Sequence, residues 1–221
     1  MNSNPKIKYY VYISPSKIDM LFHQIPKELQ SSIQKGLEID LKLIKMSFSE
    51  KQIDETLYSK LSIVIKYLEK NGGIGDVFTP KEYFKGLLFM EWAQIHASVV
   101  FWGGKVNDIA IGLGGSMNNV LGHETKDVEK GISHTPWLVS LLSQEVESII
   151  KPSIVQENEF IKDGESEFER RVLASTYSWA DDLSIRSYQK CEFVAKKLRF
   201  ANYQNHRVLL GTPLYVAITE R

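Results

Sequence analysis

Y-F-K-G-L-L-F-M-E-W at Tyr83 to Trp92, S-V-V-F-W at Ser98 to Trp102 and N-D-I-A-I-G-L at Asn107 to Leu113 follow one another with little between them. All three are rich in β-branched and aromatic residues, the composition of strands. Gly103-Gly104 and Lys105 to Asn107 read as a hairpin-like connection between the second and third. Strands that succeed one another through short turns, without a helix after each, predict an α+β fold: a mainly antiparallel sheet with several packed helices.

Working outward, Ile7 to Ile13 reads as a strand that stops at Ser14-Pro15-Ser16. Ser16 and Asp19 have the spacing of a capping box opening a short helix, which Pro26 closes. A second helix, Lys27 to Lys35, is expected to end at Gly36. Ile39, Leu41 and Leu43 then alternate with Asp40 and Lys42 in the period of a strand with one wet face. Leu57, Leu61, Val64, Ile65 and Leu68 return at helical spacing and predict a helix from Asp54 to Lys70.

On the other side, Pro136 near a Ser133 cap opens a helical subregion over 133–186, including the stripe Trp137, Leu138, Leu141, Leu142, Val146 and Ile149. Cys191 to Phe200 reads as a strand pairing with Arg207 to Ile218, although Val194, Ala195 and Leu198 serve a helix equally. Gly211-Thr212-Pro213 is expected to interrupt the last strand, and its proline implies an edge or a bulge. With no low-complexity stretch or long linker, residues 1–221 read as a single domain.

The chain is 43% hydrophobic and 24% charged, with 27 basic and 27 acidic residues. A formal net charge of zero leaves no global field to attract a polyanion, so bulk nucleic acid is an unexpected partner, while a local basic cluster still suits a small anion. The single cysteine, Cys191, forms no internal disulfide and predicts a reducing cytoplasm. No stretch is long and apolar enough for a membrane span or a signal peptide.

The last of the three strands runs on as G-L-G-G-S, with Gly114, Gly115 and Ser116 where a strand meets a helix cap. Backbone N–H groups at such a junction favour an anion; the alternative is a tight turn whose glycines serve packing. No G-K-[ST] follows, and the spacing is not that of a dinucleotide fingerprint. Ser14, Ser16 and Lys17 after the first strand and Thr212 in the last resemble this end, and together they would line one rim. The five histidines have no metal-site spacing, and no metal is expected. Tyr177 and Trp179 precede Asp181-Asp182, either as a stacking and metal-holding loop or as a helix end with buried aromatics.

Four blocks carry a resemblance: Y-V-Y-I-S-P-S-K-I-D-M-L-F-H-Q-I-P at Tyr10 to Pro26, V-V-F-W-G-G at Val99 to Gly104, I-G-L-G-G-S with V-L-G over Ile111 to Gly122, and V-L-L-G-T-P-L-Y-V-A at Val208 to Ala217. Together they resemble a group of uncharacterised bacterial proteins. That resemblance spans nearly the whole chain and implies neither a substrate nor a catalytic residue.

Three functions are therefore expected in competition. The first is a cytosolic binding module for a small anionic ligand of the nucleotide class, lined by Ser14, Ser16, Lys17, Gly114, Gly115, Ser116 and Thr212. The second is a hydrolase or transferase on such a ligand, with Asp181, Asp182, Glu91 or His123 as acids, bases or metal ligands. The third is a non-catalytic interaction subunit or homo-oligomer using the 4 tryptophans and 10 tyrosines as anchors. No particular cofactor is indicated.

Overall fold

Side chains alternate across a strand, so a strand rich in large apolar residues needs a covered face. The sheet meets that need by closing on itself. The structure, a computed structural model, describes residues 8–42, 57–96, 98–122, 173–174, 176–177, 188–203 and 205–219. In chain order its elements are β1 (Tyr9–Ile13), α1 (Pro15–Gln24), α2 (Lys27–Lys42), α3 (Leu57–Lys70), β2 (Ile74–Asp76), β3 (Tyr83–His96), β4 (Val99–Val106), β5 (Ile109–Ser116), β6 (Gln189–Tyr203) and β7 (His206–Ile218). They fall into two units, Ser14–Ile74 and the remainder of the chain.

In the larger unit β3, β4 and β5 form an antiparallel meander, and β6 and β7 an antiparallel hairpin. The hairpin joins both ends of the meander: β6 pairs antiparallel with β3, from Tyr83↔Lys196 to Met90↔Gln189, and β7 pairs parallel with β5, from Ile109↔Arg207 to Leu113↔Gly211. The result is a closed barrel of five strands. This corrects the expected α+β fold with a mainly antiparallel sheet: the sheet is a mixed, closed barrel. The reason is that the long connection after β5 delivers β6 to the far edge of the meander, beside β3, so that the short β6–β7 turn returns β7 parallel to β5.

β7 is paired along one edge by β6 throughout, and its other edge is divided between β5 up to Gly211 and β1 from Tyr215, where Ile13 is the partner. Gly211-Thr212-Pro213 therefore does not interrupt the strand. Its proline does sit at an irregularity, because the β6–β7 register shifts between Val194 and Ala195, the partners of Tyr215 and Pro213.

Phe84, Met90, Val100, Trp102, Ile111, Leu113, Phe193 and Leu209 fill the interior. Its aromatic rings fit because glycines face them: a Cβ on Gly86 would come within 2.5 Å of Phe193, one on Gly211 within 2.7 Å of Phe84, and one on Gly115 within 2.6 Å of Tyr12. A second apolar cluster, on the outer face of β4, β5 and β7, gathers Val99, Phe101, Ala110, Val208 and Leu210 beneath Leu173.

In the Ser14–Ile74 unit, Ile18 and Phe22 of α1 and Leu61, Ile63 and Val64 of α3 are buried. Ser14 is the cap position of α1 with Pro15 first in the helix, and its side chain makes no capping bond. The expected capping box at Ser16 and Asp19 is thus displaced; Asp19 instead pairs with Lys60 at 2.9 Å. Helix α2 passes through Gly36 and takes in Ile39 and Leu41, correcting both the helix end and the strand expected there. Leu29, Ile33, Leu37 and Leu41 recur every four residues, so a helical period runs beneath the local alternation. The expected helices of 133–186 lie outside the described residues, apart from helical positions at 173, 174, 176 and 177.

Candidate functional site

Gly114, Gly115 and Ser116 are the last residues of β5 and pair with Phe101, Val100 and Val99 of β4. Their backbone is extended ladder; the positive φ angles among the described residues lie at Asn107, Gly72 and Gly122. A single 3-10 turn, Met117–Asn119, follows, and Ser116 makes no capping bond to it. The register Leu113↔Gly211 carries Gly114 and Thr212 on neighbouring parallel strands, and Ile13↔Tyr215 brings the end of β1 to the same part of β7.

Tyr12 occupies this fork. It is fully buried, its ring lies edge-on to Trp102 at 5.1 Å, and its hydroxyl accepts a hydrogen bond from Asn119 Nδ2 at 3.2 Å. Gly115 thus makes room for a tyrosine. Ser116 and Thr212 are buried at 8% and 6% exposure. Ser14, Ser16 and Lys17 belong to the other unit; Ser14 is buried and Ser16 exposed, while burial pushes the Lys17 ammonium down to about 8.

Glu91 is buried on β3 across from Gly103. His123, Asp181 and Asp182 lie outside the described residues, as does Trp179. The Tyr177 ring stacks on His206 at 4.5 Å, with the Lys105 ammonium 5.1 Å from its centroid. Burial pushes the Cys191 thiol up to about 11, as befits an inert residue in the barrel interior.

A different face has the chemistry of recognition. Lys85, Leu87 and Phe89 alternate along β3 with the buried Phe84, Leu88 and Met90, so they share its outer side. Leu87 is 55% exposed and Phe89 52%. Their register partners on β6 are Val194 for Lys85, Glu192 for Leu87 and Lys190 for Phe89. On the next strand the Tyr215 hydroxyl donates to Glu192 Oε1 at 2.6 Å, and Lys8 pairs with the same carboxylate while lying 5.5 Å from the Tyr215 ring. Burial alone would raise the Glu192 pKa, but hydrogen bonds from Lys8 and Tyr215, with the charges of Lys8 and Lys85, outweigh it and hold the carboxyl below its usual value.

Two large apolar side chains thus stand in water beside Lys85 and Lys190, while the Glu192 carboxylate is held by Lys8 and Tyr215 and Glu91, next after Phe89 on that face of β3, is buried. The sequence reading missed these residues. Leu87-Leu88-Phe89-Met90 is an unbroken apolar run, which suits a strand buried on both faces. Among the described residues no group of three His, Cys, Asp or Glu side chains has the arrangement of a metal site, and no helix is long and apolar enough to cross a membrane.

A model of a family of unknown function, DUF7019, matches residues 8–220, and the chain belongs to that family. No curated protein and no solved structure matches it.

Proposed function

We propose that this DUF7019 chain is a binding module for a small anionic ligand of the nucleotide class, working in a bacterial cytoplasm, and that it binds on the outer face of β3 and β6. The observation that carries the reading is the pair Leu87 and Phe89, each more than half exposed, beside Lys85 and Lys190. An exposed aromatic offers a base a stacking surface, and a lysine offers a phosphate a point charge. Small five-stranded barrels in other proteins also bind ligands on an outer face. Since one fold hosts many functions, the side chains carry the argument here. The lone Cys191 supports the reducing compartment.

Thermal denaturation of the full chain against nucleoside mono-, di- and triphosphates and inorganic phosphate tests the reading. A ligand at 100 times its dissociation constant adds about 2.7 kcal/mol, which for a chain of this size raises Tm by roughly 5–10 °C. Lys190→Glu is expected to abolish that rise while leaving the Tm of the unliganded protein nearly unchanged. No rise with any of these compounds sinks the proposal.

A further inference from the structure

The outer face of β3 and β6 sets a lysine beside each exposed apolar side chain, in two different ways. Phe89 has Lys190 directly across the ladder; Leu87 has Glu192 across from it, held by Lys8 and Tyr215, and Lys85 as its next neighbour on the same face of β3. Paired residues on adjacent strands have Cβ atoms about 5 Å apart, and same-face neighbours along one strand lie about 7 Å apart. Each exposed apolar side chain therefore has a cation within one side-chain length. A mononucleotide has one base and uses one such pair; a ligand that uses both must repeat, with a flat apolar group and an anion in each unit.

We infer that the ligand of this face is a short single-stranded oligonucleotide, with successive bases lying on Leu87 and Phe89 and their phosphates on Lys85 and Lys190. The inference rests on the binding function proposed above and deepens it. A duplex keeps its bases stacked inside, so apolar platforms on a sheet surface serve single strands. The zero net charge of the chain agrees with few phosphate contacts made locally, in place of a long basic groove.

Fluorescence anisotropy of labelled octathymidylate with the full chain, competed by thymidine monophosphate, provides the test. The octamer is expected to bind at least tenfold more tightly than the monophosphate. Its log affinity should fall against log salt with a slope of about −1.4, two phosphates on a single strand. Leu87→Ala and Phe89→Ala should each weaken it about fivefold or more, and Lys85→Gln and Lys190→Gln should each reduce the slope by about 0.7. All four side chains lie on the outer face, and near-UV circular dichroism confirms that the variants are folded. Equal affinity for octamer and monophosphate overturns the oligonucleotide inference and leaves the anion-binding proposal standing. Binding of neither overturns both. Polyglutamate competing as well as the octamer, or concentration-dependent self-association lost in Phe89→Ala without octamer binding, assigns the face to a protein partner and overturns the inference.

Discussion

At Gly115 one missing methyl group decides whether the end of β5 can lie against Tyr12. A Cβ there would stand 2.6 Å from the Tyr12 hydroxyl and 2.7 Å from its ring carbon Cζ, and the ring is sealed in the core with Trp102 at its side. Gly115→Ala is therefore expected to cost about 1–3 kcal/mol, the usual penalty of overpacking, seen as a fall in Tm of roughly 3–10 °C. Gly36 gives the opposite case. It lies within α2 with nothing inside 4 Å of its would-be Cβ, so Gly36→Ala should raise stability by about 0.5–1 kcal/mol. Thermal melts of the two variants side by side check both, and a neutral Gly115→Ala would show that Tyr12 has room to move. Both glycines are plain in the sequence, but their roles are not: G-L-G-G-S has the same letters whether it cradles an anion or a tyrosine from a strand about a hundred positions away.

At the scale of elements, β1 is held on β7 by a short ladder and by the Lys8–Glu192–Tyr215 cluster. The Glu192 carboxyl has a lowered pKa in the folded protein. Its contribution to stability is therefore fully present above the ordinary glutamate pKa of about 4.3 and is lost as pH falls through the lowered folded value. Glu192→Gln should cost about 0.5–1 kcal/mol at pH 7, a modest figure because the cluster is partly in water, and the difference from the parent should shrink towards zero in strong acid. Chemical denaturation at pH 7 and near pH 3 measures it; a constant difference would mean that charge is not what the cluster contributes. Local pattern made the strands of the barrel legible, since β-branched and aromatic residues cluster in β3 to β7. It failed where two periods coexist: Ile39, Leu41 and Leu43 alternate, yet Leu29, Ile33, Leu37 and Leu41 keep a four-residue step and the helix prevails. Exposure was equally hidden, because Leu87 and Phe89 look like core residues until β3 is seen with one face outward.

For the whole molecule, the decisive contacts join segments far apart in sequence, and no local period announces them. β7 meets β6 along its entire length and shares its other edge between β5 and β1, so three strands depend on one. The parallel β5–β7 ladder converts an antiparallel sheet into a closed barrel, and closure is what seals Trp102, Ile111 and Phe193. A chain ending at Asn205 would expose the unpaired edges of β5 and β6 and lose Leu209 and Val216 from the interior. Because those losses are shared among strands and cannot be confined to one terminus, the truncated chain is expected to lose the whole barrel, with no cooperative thermal transition and little near-UV circular dichroism. A synthetic peptide spanning His206 to Ile218 should restore the signal by supplying the missing strand between β6 and β5. A truncated chain that still melts cooperatively with native near-UV signal would show that the meander β3 to β5 and the β6 strand close without β7, and that the parallel ladder is an addition to the barrel and not its closure.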